Sequence, residues 1–397
     1  MQTTFRHRRV AQRVARAAVA GAVSALIAIA TGGLPAHAGT PEQAVRIHNR
    51  IAGVPPSATV LANMVAALNS GDTATAVKYA TDNPNFYNVT LKNFAAPWTN
   101  RDQTVFVPLN DYTATVIGMV RDDVPFNTVL SGDILYTSSA SGLPAPSNAN
   151  DDHYSTAETN GVDLKATLVQ TTQSSVYGLP AAATAGIMTT RGGASAFFVA
   201  GTNRAMFRFT LMNHLCHDME QVQDITRPTD RIRQDVSRSP GGDSRIFLNN
   251  CVGCHSGMDP MAQAFAFYNF DATSGVLSYT ANTVQPKYTI NATNFPQGFV
   301  TPDDAWQNRW RQGPNSVLGF DGSLPGAGNG AKTLGQELAA SDAFAECQVE
   351  KVFQAVCFRA PGNTADRNAV ATIKASFKNG YKLKQVFADT ALYCKGQ

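Results

Sequence analysis

Apolar residues recur at three- and four-residue intervals along much of this chain, the period of helices that bury one face. From Pro41 to about Ala80 the pattern predicts helices. A proline stands early in Pro41-Glu42-Gln43-Ala44-Val45, and the stripe Val60, Leu61, Met64, Val65 and Leu68 stops at Ser70-Gly71. A second set runs through Tyr112, Val116, Ile117 and Val120 to Val124-Pro125-Phe126. Ser138 to Asp152, rich in Ser, Pro, Asn and Asp, reads as a surface loop, with His153 a solvated residue beside it.

Helical spacing returns between Leu179 and Val222. Over Asn203 to Val222 one stripe carries Phe209, Met212, Cys216 and Met219, and another Met206, Thr210, Asn213 and His217. Further on, Met261 to Phe270 is apolar and aromatic, with Phe265, Phe267, Tyr268 and Phe270 open to core packing or to walling a cofactor. Ala272 to Pro302 suggests a short hairpin. Trp306, Arg309, Trp310 and Arg311 read as a basic aromatic helix packed by one face. The chain ends in helices over Leu334 to Phe358, Asp366 to Phe377 and Leu383 to Tyr393.

Charge changes the picture at the N-terminus. Arg6, Arg8, Arg9, Arg13 and Arg16 precede a small apolar run from Ala17 to Thr31 and the small residues Ala36-His37-Ala38, the layout of an export leader over 1–38. The run is too short and alanine-rich for a membrane span. Setting those five arginines aside leaves 27 Lys+Arg against 29 Asp+Glu, so the net charge passes from +3 to about −2. No basic field for nucleic acid remains, and no integral membrane segment is expected in the mature chain. The protein is expected to be periplasmic or secreted.

The chemistry concentrates in Cys251-Val252-Gly253-Cys254-His255-Ser256-Gly257-Met258-Asp259-Pro260. Two thiols two residues apart, followed at once by an imidazole, meet the demand of covalent haem attachment: each sulfur adds to one vinyl group, and His255 reaches the iron. A zinc site would want a second ligand pair downstream, and none follows. A thioredoxin-like pair would want a preceding strand and an electropositive helix start. The expected cofactor is therefore one covalently attached haem c, held by Cys251 and Cys254 with His255 as the metal ligand.

Further blocks surround that motif. Leu215-Cys216 and Arg245-Ile246-Phe247 precede it; Tyr268-Asn269-Phe270-Asp271, Phe320-Asp321-Gly322-Ser323-Leu324-Pro325-Gly326 and Leu338-Ala339-Ala340-Ser341-Asp342-Ala343-Phe344-Ala345-Glu346-Cys347 follow. In this order they resemble the C-terminal haem-binding modules of planctomycete-type cytochrome c proteins over roughly the second half of the chain. The resemblance implies an exported helical cytochrome and no particular substrate; His214 and His217 depart from it.

The expected fold is mainly α, a multi-helix cytochrome-c-like haem module with helical flanking regions and long loops. It divides into a helical region over 39–190, the haem module over 191–275, a loop and hairpin region over 276–330 and a helical region over 331–397. The expected function is that of an exported monohaem c-type cytochrome in electron transfer, its redox partner protein unspecified. Two alternatives stand beside it: a peroxidase-like or oxygen-activating haem enzyme, and an exported binding protein whose haem is structural.

Cys216, Cys347, Cys357 and Cys394 remain, an even number suited to an oxidising compartment. Cys347 and Cys357 share a predicted helix, where ten residues span about 15 Å. Bridged Cα atoms lie within about 7 Å, so Cys216 is expected to bond one of them and Cys394 the other. No methionine follows Met261 and no histidine follows His255, which excludes the familiar arrangement of a methionine ligand well downstream of the motif. The candidates are His214, His217, Met206, Met212 and Met219 upstream, the two histidines placed first, with Met258 and Met261 as alternatives. The leader reading also makes a direct prediction: mass spectrometry of exported protein begins at Gly39, and exported material with an intact N-terminus excludes that cleavage.

Overall fold

The computed structural model describes residues 38–198, 203–234, 245 and 249–396; the leader, apart from Ala38, and Ile246-Phe247 lie outside the described residues. The protein is mainly helical, with three small two-stranded antiparallel sheets. Among the described residues no helix is long and apolar enough to cross a membrane.

Three helices open the described chain. In α1 (Thr40–Ala52) Pro41 occupies the first turn, where a missing N–H costs nothing, and Gly53 in the left-handed region ends the helix by donating to Asn49 O. The Ser57 hydroxyl accepts from Val60 N to start α2 (Ala58–Asn69), and the Asp72 carboxylate accepts from Thr75 N to start α3 (Thr73–Thr81). These helices pack on one another.

Next comes α4 (Asp111–Arg121), whose residues Asp111 to Val120 are all buried, so it is a core element rather than an amphipathic surface helix. It packs on β1 (Leu135–Ser138), which pairs antiparallel with β2 (Leu168–Thr171). After the Ser138 to Asp152 connection, α5 (Asp152–Thr159) carries His153, which is buried and not solvated. Its Nε2 accepts from Ser138 N and its Nδ1 contacts Pro144 O, so the ring closes the loop from inside.

The Leu179 to Val222 stretch contains α6 (Arg191–Phe197) and α7 (Arg204–Leu215). The helix expected over Asn203 to Val222 therefore ends early. Cys216 takes a left-handed φ of 56° and bonds to Cys347, and a 3-10 turn over Met219–Val222 follows. Cys216 and His217 consequently leave the stripes assigned to them. Beyond α8 (Val252–Ala262), the hairpin is β3 (Tyr268–Asp271) with β4 (Val276–Tyr279), starting earlier than expected. Trp306 to Arg311 is not a helix: β5 (Ala305–Gln307) pairs with β6 (Ala327–Asn329), and Arg309–Arg311 is a 3-10 turn started by the Asn308 side chain.

Four helices close the chain: α9 (Gly330–Ala339), α10 (Asp342–Cys357), α11 (Thr364–Lys378) and α12 (Leu383–Tyr393). The expected Leu334 to Phe358 helix is thus two, broken where Ser341 caps α10 by accepting from Phe344 N. Cys347 and Cys357 both lie on α10. Cys216 pairs with Cys347 and Cys357 with Cys394, at Cα separations of 5.2 and 5.6 Å. Near both ends of the described residues the helices pack together, α1 and α3 on α12, where the Phe387 ring lies 5.2 Å from those of Phe86 and Phe94. One hydrophobic cluster runs from Ala44 to Ala391.

Packing of α9 is close enough to test. A methyl added at Gly335 would lie 1.8 Å from Leu130 O, a main-chain atom with little room to yield. Gly335→Ala is expected to cost about 1–3 kcal/mol, read as a lowered midpoint in thermal or urea unfolding. Gly322→Ala, with no atom within 4 Å of the added methyl, serves as the control. Equal midpoints for the two variants would contradict the contact.

Candidate haem site

Cys251 stands at the N-cap of α8, and its carbonyl accepts from Cys254 N and His255 N at 3.2 and 3.1 Å. This first turn brings Cys251 and His255 together at i,i+4 with Cys254 beside them. The turn rests on the segment after α7: Asp224 N donates to Gly253 O at 2.9 Å, and the Ser256 hydroxyl donates to Asp224 O at 2.6 Å. From the other side Trp310 lies on the helix backbone, since a Cβ at Gly257 would fall 2.0 Å from its Nε1. The motif glycines are thus places where neighbours touch the backbone of α8.

The motif thiols differ from the rest. Cys216, Cys347, Cys357 and Cys394 are all bridged, whereas Cys251 and Cys254 are unbonded and half-buried. Burial, reinforced by the neighbouring Cys251, pushes the Cys254 thiol up, and its Sγ donates to Met219 O at 3.5 Å. Among the described residues no three His, Cys, Asp or Glu side chains converge as a metal-ion cage.

His255 is braced. Its Nδ1 lies 3.0 Å from Asp259 Oδ2, one helical turn on, and Asp259 is 1% exposed. The same carboxylate receives Arg204 of α7, Nε to Oδ1 at 2.6 Å and a second guanidinium nitrogen to Oδ2 at 3.1 Å. Burial alone would raise the Asp259 carboxyl; Arg204, then His255 and Arg233, outweigh it and hold the group far below the ordinary carboxylate range. An ionised carboxylate only accepts, so Nδ1 is the nitrogen that donates to it and Nε2 is the one turned away from it. Histidines that bind metals are oriented in this way.

A cleft of about 650 Å³ opens beside Cys254, within the size range of cofactor clefts, about 300–1,000 Å³. Met258 continues the Cys254 side along α8; Phe209 and Met219 are apolar walls from α7 and the turn after it. Arg101, Arg204 and Arg208 also line it, with Asp218 and Glu220. Arg208 grips Asp218 through both carboxylate oxygens, at 2.7 and 2.6 Å.

No known protein family, curated protein or solved structure matches the chain. The assignment of the site therefore rests on its own chemistry. Two unbonded thiols and a carboxylate-braced imidazole are the groups that covalent haem attachment would use; the cleft takes in Cys254 but neither Cys251 nor His255, and carries Asp218 and Glu220 beside its guanidiniums.

The other residues singled out in the sequence fall elsewhere. His214 is fully buried: its Nε2 meets Tyr112 Oη at 2.9 Å, and its ring packs against Trp98 and Phe344. Burial, aided by the Lys351 charge, holds this imidazole well below its ordinary pKa, as a neutral core group. His217 sits past the helix break with Nδ1 on Leu215 O at 2.6 Å. Met206 is 2% exposed and Met261 fully buried. Phe265, Phe267, Tyr268 and Phe270 are buried away from the cleft lining. Arg309 and Arg311 are engaged with Asp230 and Glu337. Sequence reasoning missed Asp259, Arg204 and Arg208; the i,i+4 spacing of His255 and Asp259 was the available signal for the first.

Asp259→Asn is expected to destabilise the protein by about 3 kcal/mol at pH 7, the low end for breaking a buried pair, because Arg204 keeps slight exposure. The sign with pH follows from the lowered carboxyl. Its contribution is complete above the unfolded value of about 4 and fades as pH falls below it. Urea unfolding at neutral and acid pH should therefore show the variant losing less stability on acidification than the wild type. Parallel acid limbs would contradict this.

Proposed function

We propose that this chain is an exported monohaem c-type cytochrome that carries electrons. One observation supports the reading above the others: four of six cysteines are bridged, yet Cys251 and Cys254, two residues apart, stay unbonded next to a histidine braced by a buried carboxylate. In an oxidising compartment a C-x-x-C pair left out of disulfides needs another fate, and thioether formation supplies it. The export leader and the resemblance to planctomycete-type cytochrome c proteins belong to the same proposal.

Each residue then has a task. The Cys251 and Cys254 thiols would hold the cofactor edge by thioether bonds, each sulfur adding to one carbon of a vinyl group and its hydrogen to the other. His255 would hold the iron through Nε2, while Asp259 fixes the ring orientation through Nδ1. Arg101, Arg204 and Arg208 bring positive charge to the cleft edge, the last two already paired with Asp259 and Asp218, and Phe209 and Met258 would exclude water. Bound haem supplies a one-electron couple.

A haem enzyme is the second reading, and Asp259 favours it, because an anionic hydrogen-bond partner strengthens an imidazole as a metal donor and would stabilise ferric iron. The visible spectrum of purified protein separates the two. Six-coordinate low-spin iron indifferent to added ligands supports electron transfer; high-spin iron that takes cyanide or peroxide supports catalysis.

Replacing both Cys251 and Cys254 by alanine is expected to abolish haem staining on a denaturing gel, since thioether bonds alone survive unfolding. Retained staining in the double variant, or an unstained wild type, would overturn the proposal.

A further inference from the structure

We propose that Arg204 is a positioning residue that helps to set the reduction potential of the iron: acting through Asp259, it limits how strongly His255 donates, an inference that rests on the haem reading and deepens it. The two groups share one acceptor. Asp259 Oδ2 lies 3.0 Å from His255 Nδ1 and accepts from Arg204 at 3.1 Å, while Oδ1 accepts from Arg204 Nε at 2.6 Å. A carboxylate behind a metal-binding imidazole strengthens it as a donor through the negative charge it brings to the ring. A guanidinium on both oxygens draws that charge back, and at 1% exposure of Asp259 little water screens the exchange. Asp259 by itself would favour ferric iron; Arg204 offsets part of that pull and makes the ferrous state easier to reach, as a carrier requires.

The chain places Arg204 for this role. It is the first residue of α7, and Asn203 before it takes a left-handed φ of 56°, a conformation asparagine tolerates better than most side chains. The buried Asn203 side chain donates through Nδ2 to Phe265 O and Tyr268 O, at 2.8 and 3.0 Å, in the segment that follows α8. The start of α7 is thereby pinned to the chain just beyond α8, and the two helices pack together. Arg204 meets the carboxylate with 16% of its side chain exposed, largely withdrawn from water. Arg233, fully buried, also acts on Asp259, so a cation still favours the ionised carboxylate when Arg204 is replaced.

The test uses haem-loaded exported protein: wild type, Arg204→Gln, Arg204→Lys, Asp259→Asn and the double variant that combines Arg204→Gln with Asp259→Asn. The readouts are haem staining on a denaturing gel, reduction potential at pH 7 and the urea unfolding midpoint. Arg204→Gln should lower the potential. Arg204→Lys should lower it less, because an ammonium keeps the charge but not the two-pronged contact. Asp259→Asn should raise it, and in that background Arg204→Gln should move the potential far less than in the wild type, since the charge it offsets is gone. A purely structural Arg204 would lower the unfolding midpoint and leave the potential in place. A potential unmoved or raised by Arg204→Gln, or moved equally in both backgrounds, overturns the inference while haem staining stands. Should Arg204→Gln fail to fold, Arg204→Lys decides, and a potential equal to that of the wild type overturns the inference. An unstained wild type overturns the haem reading and this inference with it.

Discussion

The buried Asp259 carboxylate joins the two helices that make the site. It lies on α8, orients His255 one turn before it, and takes the Arg204 guanidinium of α7 on its other edge. A buried charge is tolerated only when paired and hydrogen-bonded, so this triad has one arrangement that leaves no partner stranded. The imidazole orientation, the α7 to α8 packing and one wall of the cleft all follow from that arrangement.

The rest of the chain holds these helices in register. Beyond α7 a disulfide ties Cys216 to α10, and a second ties the end of α10 to the end of α12, against which α1 and α3 pack. Each bridge removes freedom from the unfolded chain and fixes an element end that would otherwise fray. The helices near the chain ends therefore act as a frame, and the segment from Met219 to Asp224 is suspended between that frame and α8.

Legibility in the sequence followed the range of the forces involved. Local signals read well: the early proline of α1, the stripe of α2, and α11 and α12. The disulfide pairing was accessible because helix rise forbids a Cys347 to Cys357 bridge. What was hidden depends on distant partners. Cys216 ends α7 in a left-handed conformation that costs a non-glycine residue energy, offset by its bond to a cysteine 131 residues away. His153 is buried because Pro144 and Ser138 satisfy its ring, and His214 because Tyr112 meets its Nε2 while Trp98 and Phe344 pack on its ring. A histidine on a polar stripe looks like a ligand until such partners are known. Trp306 to Arg311 has a helical composition, yet β6 captures its first residues.

The central claim is that Cys251 and Cys254 are reserved for haem while the remaining four cysteines are bridged. Denaturing mass spectrometry of unreduced protein from the exported fraction tests it most directly. The account predicts the mass of the mature chain plus one haem, less the hydrogens lost to two disulfides. A mass without haem, with Cys251 and Cys254 joined in a third disulfide, would contradict it.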